Sequence, residues 1–188
     1  MHYTDEELRA LGLQFGDHVS IHRTVEFFRP ERIRLGSHVR IDCFSVLSAA
    51  EPLVVGSHVH LAAGVMIFGS EGVEIGDFAG LSSRVAVYTA SDDYVGGHLT
   101  NPTVPEKYRK VSRGKVRIEP HTIVGSGSVI LPGVTLGRGA SVGALTLVRK
   151  DVPACQIVAG NPARVLGQRD AEKLAVLEAE FLREERGK

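Results

Sequence analysis

A three-sided parallel β-solenoid is the fold class this sequence predicts, and three observations predict it. Four segments open alike at intervals of twenty residues: Phe15-Gly16-Asp17-His18-Val19, Leu35-Gly36-Ser37-His38-Val39, Val55-Gly56-Ser57-His58-Val59 and Ile75-Gly76-Asp77-Phe78-Ala79. A fixed period of that length signals stacked identical units. Within each unit a large aliphatic side chain returns every six residues, as in Leu35, Ile41, Leu47, then Val55, Leu61, Ile67, then Ile75, Leu81, Val87. An α-helix cannot hold a six-residue apolar repeat on one face, because its own period is about 3.6 residues. Short strands joined by tight corners can. The third observation is a restart: Ile118, Val124, Ile130, Leu136, Val142 and Val148 repeat the theme at six-residue steps, so eighteen residues is the basic coil.

The elements follow in order. Thr4 to Leu11 reads as a short helix with Thr4 as N-cap and Glu7 as its capping-box partner, giving a capping segment over residues 1–12. Its place is the first coil's open end, where strand edges and core would otherwise meet water. Residues 13–167 form the solenoid, each coil rising by roughly 4.8 Å. Gly36, Gly56, Gly76, Gly125, Gly137 and Gly143 each follow a core aliphatic, where a missing Cβ is expected to permit a sharp bend. His18, His38 and His58 share one corner position and should stack as turn residues; His121 is assigned to the corner that restarts the solenoid. A straight ladder at strand spacing does not converge three nitrogens on one tetrahedral ion, so no metal is expected. His60 falls on an outward strand position. Residues 168–188 carry Ala171, Leu174, Leu177 and Phe181 at helical spacing and predict a terminal helix packed on the prism or on a neighbouring subunit.

One excursion, residues 88–115, breaks the repeat. Loops this long inside a compact repeat are functional or disordered. This one carries Asp92, Asp93, Tyr94, His98 and Asn101 with two prolines, and function is the reading adopted.

Composition sets limits. The 188-residue chain is long enough for one domain with a sizeable core. Its formal charge of +0 and lack of a one-sided basic run exclude nucleic acid or an anionic membrane as the main partner. The N-terminus has no basic-then-apolar signal layout, and no apolar run approaches a membrane span, so a cytoplasmic location is expected. Cys43 and Cys155 read as two free thiols in a reducing compartment.

The hexapeptide spacing, the single excursion and the run from Gly133-Val134-Thr135-Leu136-Gly137 to Ala159-Gly160-Asn161-Pro162-Ala163-Arg164 together resemble the left-handed β-helix (hexapeptide-repeat) acyltransferases. Ser91-Asp92-Asp93-Tyr94 through Leu99-Thr100-Asn101-Pro102 is more specifically similar to the sugar O- and N-acetyltransferases of bacterial surface polysaccharide pathways. The left hand of the winding comes from this resemblance alone, since parallel crossovers are ordinarily right-handed.

The resemblance implies a homotrimer with acetyl-CoA, the acyl donor, lying between two prisms and a sugar as acceptor. A base and oxyanion donors are then required. His98 is the leading candidate base because imidazole titrates near neutrality. Asp92, however, stands where the simple sugar acetyltransferases keep their catalytic histidine, so Asp92, Asp93 or the substrate itself stays open for that role. The resemblance places Ser126, Ala144, Arg149, Lys150 and Arg164 at the cofactor, the basic ones near its phosphates. Tyr94 and Asn101 suit sugar hydroxyls, while Lys107, Arg109 and Lys110 are either contacts for a nucleotide-sugar diphosphate or solvated charge. Two other classes remain: a non-catalytic solenoid that binds or assembles, and a zinc lyase of the γ-carbonic-anhydrase type. The latter would need histidines five apart, which the coils lack.

Overall fold

The computed structural model describes residues 1–187; Lys188, the last residue of the expected 168–188 segment, lies outside the described residues. Three parallel sheets form a triangular prism. The first face stacks Gln14–Phe15, Ile33–Leu35, Leu53–Val55, Val73–Ile75, Val116–Ile118 and Thr135–Leu136. The second stacks Ser20–Ile21, Arg40–Ile41, His60–Leu61, Gly80–Leu81, Ile123–Val124, Ser141–Val142 and Gln156–Ala159. The third stacks Glu26–Phe28, Val46–Ala49, Met66–Gly69, Ala86–Tyr88, Val129–Ile130 and Leu147–Val148. Register follows the repeat, with Leu35 paired to Val55, Val55 to Ile75 and Ile75 to Ile118.

Every aliphatic that defines the six-residue period is buried, from Leu35 and Ile41 to Val142 and Val148. Each such side chain contributes about 1.5–3 kcal/mol through removal from water. Ser45, Thr122, Ser128 and Thr146 are polar yet buried, and their hydroxyls donate to carbonyls of the adjoining corners, Ser128 to Gly143 at 2.8 Å and Thr146 to Gly143 at 2.7 Å.

The corner glycines act by a different cause from the expected bend. The left-handed φ at the corner after the first face belongs to His18, His38, His58, Phe78 and His121, all between 56° and 61°. The glycines instead permit close stacking: before that corner's His58, a Cβ on Gly56 would lie 2.8 Å from the Asp77 nitrogen, and at the next corner one on Gly125 would lie 2.5 Å from the Ala144 nitrogen. Side-chain oxygens complete the corner. Ser37 Oγ accepts from Asp17 N–H, Ser57 Oγ from Ser37 N–H and Asp77 Oδ1 from Ser57 N–H.

Helix α1 (Asp5–Ala10) starts with both halves of the capping box formed, Thr4 Oγ1 accepting from Glu7 N–H and Glu7 accepting from Thr4 N–H. Its Leu8 is buried against the first coil's core. At the other end the chain does not pass straight from solenoid to helix. After Asn161-Pro162 it reverses, and Arg164–Gln168 runs antiparallel to Gln156–Ala159. Helix α2 (Ala171–Arg186) then begins at the Asp170 cap. Leu177 is 53% exposed, while Phe181 sits edge-on against the His58 and Phe78 rings. Among the described residues no helix is long and apolar enough to cross a membrane.

Candidate active site

The excursion is knotted at its neck. Thr89, fully buried, donates its hydroxyl to the Phe68 carbonyl and accepts from Glu71 N–H, and its carbonyl accepts from Gly114 N–H. The chain then leaves as a two-stranded antiparallel ribbon, Ala90–Asp92 against Val111–Arg113, so the expected loop is partly strand. The ribbon presents a rigid base from which the following side chains project.

Asp93 closes a turn at the ribbon's end. One carboxylate oxygen accepts from Val95 N–H at 2.9 Å and the other faces His98 Nδ1 at 2.9 Å. The His98 bond, reinforced by the Val95 amide, holds the Asp93 carboxyl below the usual carboxylate range. In the neutral tautomer that donates Nδ1–H to Asp93, His98 Nε2 is the acceptor. Asp92 accepts from Asn101 N–H at 3.1 Å. The Asn101 side-chain oxygen is engaged within its own loop by Thr103 N–H and Oγ1, so the expected acceptor contact there is reduced to its amide nitrogen. Tyr94 is 91% exposed and joins Tyr88, Asp92 and Leu131 around a depression of about 490 Å³.

The expected cofactor residues divide between two places. Arg149 and Lys150 line a depression of about 450 Å³ with Asp151, Pro162 and Ala163, and Leu147 borders both this depression and the one beside Asp92. The basic pair and the excursion are thus neighbours on one groove. Arg164 is exposed at the start of the antiparallel strand and does not line that depression, although Pro162 and Ala163 do. Ser126 lies at the corner between the second and third faces, directly before Ala144 in the stack, and lines a separate depression with His60, Ser82 and Ser83.

That second depression contains groups the sequence reading missed. Gly80 stands between His60 and Ile123 in the ladder and leaves a trough across the second face. His60 Nε2 faces Asp42 Oδ2 at 2.8 Å, and Arg40 Nε donates to the other Asp42 oxygen at 2.7 Å. Although burial opposes it, these partners hold the Asp42 carboxyl below its ordinary range. Within one chain Ser82 and Ser83 line one depression and Asp92 lines another. The Ser82–Ser83 corner and Asp92 thus stand apart.

A parallel β-helix with one excursion and small-residue corners defines a class, and similarity to known proteins agrees. No family model matches the chain. The crystal structure of a serine-to-cysteine mutant of AntD, an N-acyltransferase from Bacillus cereus, in complex with dTDP-4-amino-4,6-dideoxyglucose and coenzyme A, superposes with a TM-score of 0.93 at 38% identity, over 97% of both chains. The chain belongs to the left-handed β-helix (hexapeptide-repeat) acyltransferase family, and that membership carries the hand of the winding. A second AntD structure, with dTDP and 3-hydroxybutyryl-CoA, gives a TM-score of 0.94 over 98% of both chains. The dTDP-4-amino-4,6-dideoxy-D-glucose acyltransferase of Escherichia coli is 38% identical over 96 residues, 51% of this chain and 50% of that protein. The matched region spans about half the length of that curated relative or less of the others. AntD has also been crystallised as variants at a serine and at an aspartate ten residues further along its chain. In this chain Ser82 and Asp92, and equally Ser83 and Asp93, stand ten apart.

Proposed function

We propose that this protein transfers an acyl group from acyl-CoA, acetyl-CoA in the simplest case, to the amine of a nucleotide-linked amino-deoxysugar used in polysaccharide or glycan synthesis in the cytoplasm. The observation that carries this reading is the end-to-end likeness to AntD together with the serine and aspartate pairs, of which Ser82 and Asp92 line the two separate depressions that this proposal joins as half-sites. Sequence analysis left oxygen and nitrogen acceptors open; the amine is preferred because AntD and the Escherichia coli relative are named for amino-sugar acylation.

The chemistry maps onto the residues as follows. The neutral sugar amine attacks the thioester carbonyl, and the carbonyl oxygen becomes an oxyanion that needs donors. The Ser82 and Ser83 hydroxyls and the corner amides near Ser126 lie at the depression's wall and suit that task. Collapse breaks the carbon–sulfur bond. The proton lost by the ammonium passes to His98 Nε2, to Asp92, or to the departing thiolate, giving free CoA and an amide. Arg149 and Lys150 supply cations for CoA phosphates at one end of the groove. Arg109, whose Nε is buried without a partner among the described residues, suits the sugar-nucleotide diphosphate.

A homotrimer belongs to the same proposal, because neither half-site is complete in one chain. The third face supports it: Phe28, Met66 and Phe68 are each more than a third exposed, and Phe44 and Leu145 protrude at the adjoining corner. An apolar sheet face of this extent fits burial against a second copy.

The test follows CoA thiol release with dTDP-linked amino-deoxysugars, their hydroxyl counterparts and simple glycosides. Turnover confined to the amino sugars is expected. His98→Ala should lower kcat/KM by about 10²- to 10⁴-fold if His98 is the base. Full turnover in that variant would transfer the role to Asp92, Asp93 or the thiolate, and no turnover with any sugar would defeat the proposal.

A further inference from the structure

We propose that His38, His58 and Glu185 form a binding site for a divalent transition metal of the zinc class, which fastens α2 to the solenoid. The site lies on the corner between the first and second faces. It is separate from the Ser82–Ser83 corner and from the excursion, and it does not depend on the acyl-transfer reading.

The corner carries a continuous column of rings. His18, His38, His58, Phe78 and His121 stack at centroid separations of 4.6, 4.7, 4.9 and 4.8 Å, with His38 and His58 only 7° from parallel. The left-handed backbone at each position aims successive rings along one line. Such a column by itself cannot close around an ion, since its nitrogens lie one above another at strand spacing.

Helix α2 changes that geometry by bringing a carboxylate to the column from the side. Phe181 packs edge-on against His58 at 5.1 Å and Phe78 at 5.6 Å, which sets the helix register. One turn later Glu185 Oε2 reaches His58 Nε2 at 3.2 Å. One turn earlier Glu178 reaches His121 Nε2 at 3.0 Å, off the line of a well-aligned hydrogen bond, and is also paired with Arg138. The two carboxylates therefore differ. Glu178 has an arginine partner, whereas among the described residues the one ion-pair partner of Glu185 is His58.

One ligand atom from each of His38, His58 and Glu185 falls within 4.8 Å of the others. Tetrahedral zinc with bonds of about 2.0–2.2 Å separates its ligand atoms by about 3.3 Å. His58 and Glu185 already stand at that separation. His38 is exposed, so its ring is free to tilt the remaining ångström or so without disturbing the core. Two imidazoles and a carboxylate favour zinc, cobalt, nickel or copper over magnesium or calcium, with water in the open fourth position.

The test uses the full-length chain without an affinity tag, stripped with chelator and titrated with zinc chloride alone. Calorimetry should give one site per chain. Zinc should raise the melting temperature, as expected for a ligand that binds only the folded state, and magnesium chloride should not. Cobalt should give a tetrahedral absorption spectrum. Glu185→Gln keeps the shape of the helix and His38→Ala alters an exposed ring, so both should fold; each should weaken zinc binding at least tenfold. His18→Ala, two rungs from Glu185, should leave it unchanged. Absent stoichiometric binding, or binding of undiminished affinity in Glu185→Gln and His38→Ala, would overturn the site.

Discussion

Asp93 is where a single side chain decides local order. Its two carboxylate oxygens face His98 Nδ1 and accept from Val95 N–H, and both contacts favour its ionised form. Its folded pKa is lowered, so what these bonds contribute to the folded state is present above the unfolded value of about 4 and is lost as pH falls through the lowered one. Carbon-13 NMR titration of the Asp93 carboxyl should therefore give a midpoint below that of ordinary aspartates. In His98→Ala, which removes the largest of the lowering influences, the midpoint should rise. An unchanged midpoint would mean that the His98–Asp93 pair does not persist in solution. Asp92 is the different neighbour: one oxygen accepts from Asn101 N–H and the residue lines the depression with Tyr94, whereas Asp93 is engaged by His98.

At the scale of the element, the corner is the sensitive part. The Gly125 Cα faces the next coil's backbone, and a Cβ there would lie 2.5 Å from Ala144 N, 2.7 Å from the Gly143 carbonyl carbon and 2.8 Å from Ala144 Cα. Backbone cannot step aside as a flexible side chain can. Gly125→Ala should destabilise the protein by about 1–3 kcal/mol, the usual range for overpacking, measured by urea unfolding. Gly80→Ala, where a Cβ would meet nothing within 4 Å, is the control and should be near neutral. The contrast explains what could be read in advance. The buried aliphatics were legible because burial itself imposes the six-residue period. The glycines were legible as corners but not in their role, since a sequence shows that a Cβ is missing and not which atom would have met it. His60 was legible as an outward residue, but its Asp42 partner and the Ser82–Ser83 corner gave no signal because Asp42-Cys43 and Ala62-Ala63 occupy the same turn without resembling a site. The reversal at Arg164–Gln168 was hidden for another reason: it pairs only with Gln156–Ala159 and carries no periodic burial, all five residues being exposed.

For the whole molecule, the proposed function requires two separated depressions to become one site. They share no lining residue, and the prism's core stands fixed between its corners. A rigid solenoid does not fold the excursion back onto its own serine corner, so the proposed function has a neighbouring copy bring one half to the other. The apolar third face and the corner residues Phe44 and Leu145 give that neighbour a surface. Met66→Glu with Phe68→Glu should convert a trimer into monomers by light scattering and abolish turnover, although neither residue touches the serines or carboxylates. Mixing sharpens the argument. Chains carrying Ser82→Ala with Ser83→Ala, and chains carrying Asp92→Asn with Asp93→Asn, should each be inactive as pure trimers. Co-assembled in equal amounts, a site drawing its serines from one chain and its carboxylates from the next is intact with probability one half times one half, so about a quarter of wild-type activity should return under cyclic symmetry. Sites housed within single chains would return none, because every chain would carry a defect. Activity in the mixture therefore separates a shared site from a private one, whatever sugar is finally used to measure it.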